Sequence, residues 1–97
     1  MTKEEILAYL ISNKQVLAQQ YGVITIGLFG SYARNEARED SDLDIAIEMA
    51  PEKKSLRNFL GLKRTLENHF GKTVDLGIES TLKPLVRERV KKEILYV

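Results

Sequence analysis

Asp42 and Asp44 stand one residue apart, and a Gly30-Ser31 pair precedes them by a spacer of ten residues. Residues 43–49, Leu-Asp-Ile-Ala-Ile-Glu-Met, alternate apolar side chains with others as a half-buried strand does. Asp42 falls at the entrance of that strand and Asp44 inside it, so their carboxylates project from the same face. Like charges so placed repel unless a proton or a cation lies between them. Magnesium takes oxygen ligands and keeps several waters, bound by one or two carboxylates together with the phosphates of a substrate. The pair therefore reads as an open magnesium site. Its alternative is a polar turn over residues 40–42 with Asp44 facing water.

Gly30-Ser31 bears on that choice. Residues 23–29 read as a buried strand that stops at Gly30, with Ser31 suited to cap a helix behind it. Strand, tight turn and helix start expose free backbone N–H groups, and Gly30 carries no side chain to block an approaching phosphate. A glycine needed only for positive φ and an ordinary serine cap would look the same in isolation. The spacing to the aspartates is what makes the pair specific.

The run from Gly30 to Asp44 resembles the signature of the DNA polymerase beta-like nucleotidyltransferase superfamily. It is similar within it to the minimal nucleotidyltransferases, including the Ala33-Arg34 step and Ser41 before the first aspartate. One departure is Asn35, where the group commonly has Gly. Asn is the next best residue for a left-handed conformation, so the turn is expected to survive. The resemblance implies a third carboxylate on a later strand, and Asp75, between Val74 and Leu76 in the apolar run 73–78, supplies it. A lone charge there is costly, unless the position is a solvated edge. By the same resemblance Asp42 and Asp44 bridge two Mg2+ ions, Asp75 binds the ion that activates the acceptor, and Gly30 and Ser31 hold the β- and γ-phosphates of ATP. Arg34 either assists electrostatically or pairs on the surface. The implied activity is transfer of AMP from ATP to a tyrosine of a HEPN-type ribonuclease toxin, with this chain as the antitoxin. Two other readings stay open: an antitoxin that masks its partner by binding alone, and a transferase acting on a small, antibiotic-like molecule.

The elements that must position these residues follow from pattern. Thr2-Lys3-Glu4-Glu5 has the form of a capping box, and Ile6, Leu7, Leu10, Ile11 and Leu17 predict a first helix ending near Tyr21-Gly22. After Pro51, Ser55 caps a second long helix with Leu56, Phe59, Leu60, Leu66 and Phe70 on its apolar face and Gly71 at its end. His69, near that end, is assigned no role. Ser80 or Thr81 begins a last helix through Leu85, Val86 and Val90, whose basic residues between Lys83 and Lys92 read as a solvated face. Residues 94–97 add an edge strand or dock against a partner. The fold class is α/β: a small mixed β-sheet with helices packed on one face and the acids at the other side or its rim, the core expected of a nucleotidyltransferase.

Ninety-seven residues suffice for one domain, residues 1–97, and leave no room for a separate recognition module. Positioning of the acceptor must then come from a docking partner, most naturally a protein. No cysteine, no long apolar run and no signal-like start point to a cytoplasmic protein away from membranes. A net charge of +1, without a basic block, argues against nucleic acid as the direct substrate.

Overall fold

The computed structural model describes residues 1–97. Its elements run α1 (Lys3–Tyr21), β1 (Val23–Phe29), α2 (Gly30–Ala33), β2 (Leu43–Met49), α3 (Leu56–Phe70), β3 (Val74–Ile78), α4 (Pro84–Glu93) and β4 (Leu95–Tyr96). The four strands form one mixed sheet in the order β3-β2-β1-β4. β1 pairs antiparallel with both β2 and β4, whereas β2 and β3 are parallel and need α3 as their crossover.

Local signals set the helix ends as expected. Thr2 and Glu5 exchange both bonds of the capping box, the Ser55 hydroxyl accepts from the Asn58 amide, and Gly22 and Gly71 close α1 and α3 in the left-handed region. The last helix begins later than its sequence suggests. Residues 79–81 form a 3-10 turn, and Pro84, whose missing N–H costs nothing at a first helical position, starts α4.

Side chains of β2 alternate between the two faces of the sheet, with Ala46 buried on the second face. Leu43, Ile45, Ile47 and Met49 enter a core shared with Ile26 and Leu28 of β1, Val74 and Leu76 of β3, Ile6, Leu10 and Leu17 of α1, and Leu62 and Leu66 of α3. Each fully buried Leu or Ile contributes about 1.5–3 kcal/mol. That anchorage on one face holds the opposite face of β2 in place. The helical stripes differ in detail from their sequence reading. Leu62 is buried, while Leu56 and Leu60 are exposed on α3 and Ile11 on α1. Ile24 is also exposed, because the β1–β2 register shifts between Val23 and Thr25 and leaves it as the extra residue of a bulge.

α1 and α3 give the expected helical cover of one face, and α4 adds a partial cover on the other. Gly27, Ala46 and Gly77 lie in one row across three strands, a channel of small residues. A Cβ on Gly27 would strike Ile94, and one on Gly77 would touch Leu82, so the two ends of α4 straddle this channel. Ala46 and Val90 are buried there, outside the main core cluster.

Candidate active site

Two residues along each strand from that small-residue channel, the same face presents a second row. Phe29, the last residue of β1, pairs with Asp44, and Asp44 pairs with Asp75 of β3. Residues in register on neighbouring strands share a face, so Asp44 and Asp75 point together, away from the core that takes Leu43 and Ile45. Asp44 sits on an inner strand and is half-buried, Asp75 is exposed on the edge strand, and Asp42 is exposed just before β2. The edge placement of Asp75 and its approach to Asp44 are thus compatible.

Burial is the largest cause that pushes the Asp44 carboxyl up to about 6, and the charges of Asp75 and Asp42 add to it. Asp75 lies within hydrogen-bonding reach of Asp44, while Arg34 acts weakly in the opposite sense. The acids therefore make a facing pair with Asp42 at its rim. No trio of acidic side chains is already closed around a common point. This donor set fits magnesium: it offers carboxylate oxygens only, on an open surface with space for waters and phosphate, and carries repulsion that a cation relieves.

Gly30 is needed for two reasons at once. Its φ is +77°, and a Cβ would fall inside the Asp44 carboxylate, 2.7 Å from Cγ. The single-turn helix α2 begins at this residue, so Phe29 occupies the N-cap position and Ser31 lies in the first turn instead of capping it. The turn ends at Asn35, whose φ of 57° is the left-handed value expected for a residue standing in for glycine.

Two residues outside the motif fasten this turn. Glu93, in the last turn of α4, accepts from the Gly30 amide at 3.0 Å through one oxygen and from Arg34 Nη1 at 2.9 Å through the other. Arg34 also donates to Glu36 at 2.7 Å, so its surface pairing is observed. Lys72, just before β3, donates to the Tyr32 hydroxyl and to the Ser41 carbonyl at 2.7 Å, and its ammonium stands 4.8 Å from the centre of the Tyr32 ring. It thereby ties α2 to the segment that leads into Asp42, where Ser41 closes a turn by accepting from the Arg38 amide. The sequence reading missed both residues. A glutamate in a helical last turn opposes the helix dipole, which is the one local sign that Glu93 has a partner elsewhere. Lys72 carries no such sign. His69 stacks on Tyr9 with ring centroids 3.7 Å apart.

No cleft encloses the acids. The largest, about 620 Å³, lies behind α2 and is lined by Tyr32, Asn35, Arg38 and Lys72 together with the start of α1. An apolar groove of about 490 Å³ runs between α3 and the α4 side of the sheet, lined by Leu56, Phe59, Leu76 and Leu82. The acidic row itself is an open face.

Comparison with known proteins places these features in context. A nucleotidyltransferase domain family matches residues 11–97. The protein adenylyltransferase MntA of Thermococcus cleftensis is 43% identical over 97 residues, covering 100% of this chain and 97% of the relative. A solved structure described as a candidate minimal nucleotidyltransferase superposes with a TM-score of 0.82 at 36% identity, over 98% of this chain and 95% of that one. A toxin-antitoxin crystal structure with AMP-PNP has the same fold, with a TM-score of 0.71 at 22% identity over 88% of this chain and 69% of that one.

Proposed function

Since the chain belongs to the nucleotidyltransferase domain family and is a nucleotidyltransferase, we propose that residues 1–97 form one catalytic domain that moves AMP from ATP to a tyrosine hydroxyl of a HEPN-type ribonuclease toxin and so acts as its antitoxin. The observation that carries this reading is the row formed by the Gly30 turn, Asp44 and Asp75 on three adjacent strands. A glycine turn that abuts the Asp44 carboxylate so closely that a Cβ would overlap it, next to paired carboxylates on an open face, suits the triphosphate of a magnesium-bound nucleotide.

In the proposed reaction the tyrosine oxygen bonds to the α-phosphorus, the bond from that phosphorus to the bridging oxygen breaks, and pyrophosphate leaves. Asp42, Asp44 and Asp75 would hold two Mg2+ ions, which supply charge stabilisation for the attacking and leaving oxygens. Gly30 and Ser31 orient the β- and γ-phosphates. Asp75, the open member of the facing pair, would hold the ion on the acceptor side of the reaction, and the phenolic proton passes to solvent. Because the acidic row has no second wall, the acceptor must complete the site and exclude water. That favours a protein acceptor over a small molecule, and the exposed leucines beside the apolar groove offer such a partner a foothold. The toxin-antitoxin likeness, at the level of fold, is consistent with this partner. No helix is long and apolar enough to cross a membrane.

The test uses α-labelled ATP, magnesium and a candidate toxin, with the intact chain and with Asp42→Asn and Asp44→Asn. Label on the toxin that disappears in both variants is the expected result. Inhibition of the toxin that persists without label in the variants would replace catalysis by masking, and label only on an aminoglycoside-like compound would replace the protein acceptor.

A further inference from the structure

We infer that Glu93 is a positioning residue for the transfer reaction, holding the Gly30 turn and Arg34 in the geometry that receives the triphosphate. This rests on the reading of that turn as the phosphate grip. The position is unfavourable on local grounds: a carboxylate in a helix's last turn faces the negative end of the dipole, and α4 also carries Lys91 and Lys92 there, which suit it better. What offsets that penalty is tertiary. One carboxylate oxygen takes the Gly30 N–H and the other takes Arg34, so a single side chain grips both ends of the α2 turn. Glu93 is only partly exposed, at 21% of its side-chain surface, whereas the competing partner Glu36 is 61% exposed. The Gly30 backbone has no stiffness of its own in the left-handed region, and a displacement of it would carry the turn toward or away from the Asp44 carboxylate that it abuts. Ile94 and β4 follow directly, and Ile94 packs over Gly27 of the same strand that ends in the turn. The C-terminal segment therefore braces the nucleotide side of the site, although it is more than fifty residues away in sequence.

The variants Glu93→Gln and Glu93→Ala separate the two bonds. Gln keeps an acceptor for the Gly30 amide and places an NH2 group against Arg34, whereas Ala removes both bonds. In the free, 15N-labelled chain the Gly30 amide proton is expected to move upfield and exchange faster in E93A, and to stay close to its wild-type position in E93Q. In the labelled-AMP assay, kcat/KM for ATP is expected to fall about tenfold to a hundredfold in E93A, the range for losing hydrogen bonds to a charged group, and less in E93Q. Thermal melts identify any unfolded fraction, and if E93A does not fold, E93Q alone carries the comparison. A purely structural contact would lower the melting temperature and leave the folded fraction with wild-type kcat and KM, which would overturn the inference. Tighter ATP binding in E93A would also overturn it, because the carboxylate would then be occupying the triphosphate's seat. If wild type transfers nothing from ATP, the functional reading fails by itself. The Gly30 amide and the affinity for AMP-PNP with magnesium then decide the role of Glu93.

Discussion

Asp44→Asn should stabilise the metal-free chain while destroying its activity. Below its ordinary value of 3.8 the Asp44 carboxyl is neutral in both folded and unfolded chains and imposes no cost. As pH rises through about 6, the folded chain must accept a charge that burial, Asp75 and Asp42 all oppose. The stability associated with a neutral carboxyl is therefore lost across that interval. A shift of about two pKa units corresponds to at most about 3 kcal/mol. Asp44 is only half-buried, and solvent screening reduces this to about 1–1.5 kcal/mol. For a domain of this size that amounts to roughly 4–10 °C in melting temperature. Thermal unfolding in EDTA should show D44N melting higher than wild type at about pH 8, with the gap closing as pH falls toward about 4. The side-chain amide in D44N donates to Asp75 and so replaces the bond made by the protonated acid. Millimolar magnesium should raise the wild-type melt, since a ligand of the folded state alone stabilises it, and leave D44N unmoved. A variant that melts below wild type at the higher pH without metal, or a gap indifferent to pH, would refute the account of strain at the acidic row.

Two further outcomes follow from the turn beside it. Gly30→Ala should cost about 2–3 kcal/mol in urea unfolding, combining about 1–2 kcal/mol for a left-handed L-residue with the overlap of its Cβ and the Asp44 carboxylate. An unchanged unfolding midpoint would show that the close approach of Gly30 to Asp44 is not a constraint. Asn35→Ala should lose about 1 kcal/mol, whereas Asn35→Gly should remain within about 0.5 kcal/mol of wild type, because only the former strains a φ of 57°. Equal losses in the two variants would mean that the Asn side chain, not its backbone tolerance, is what the turn requires.

The sequence by itself determined those features whose physics acts over a few residues. Thr2 with Glu5, Ser55, Gly22 and Gly71 settle the ends of the long helices through bonds and backbone angles within one turn. The period-two alternation over 43–49 settles that β2 is a strand with Asp44 opposite Leu43 and Ile45. The left-handed residue at 35 is expected through the family resemblance alone, and its φ of 57° agrees with it. Only the tertiary structure decided that Asp75 would face Asp44, because that depends on the register of two parallel strands joined through a whole helix. It also decided that Leu62 rather than Leu56 or Leu60 enters the core, since the rotation of α3 about its axis is set by the sheet and α1 against which it packs. The raised Asp44 carboxyl and the grips of Glu93 and Lys72 on the α2 turn belong to the same class. Burial and charge proximity are properties of groups far apart along the chain, and no spacing rule within one segment can report them.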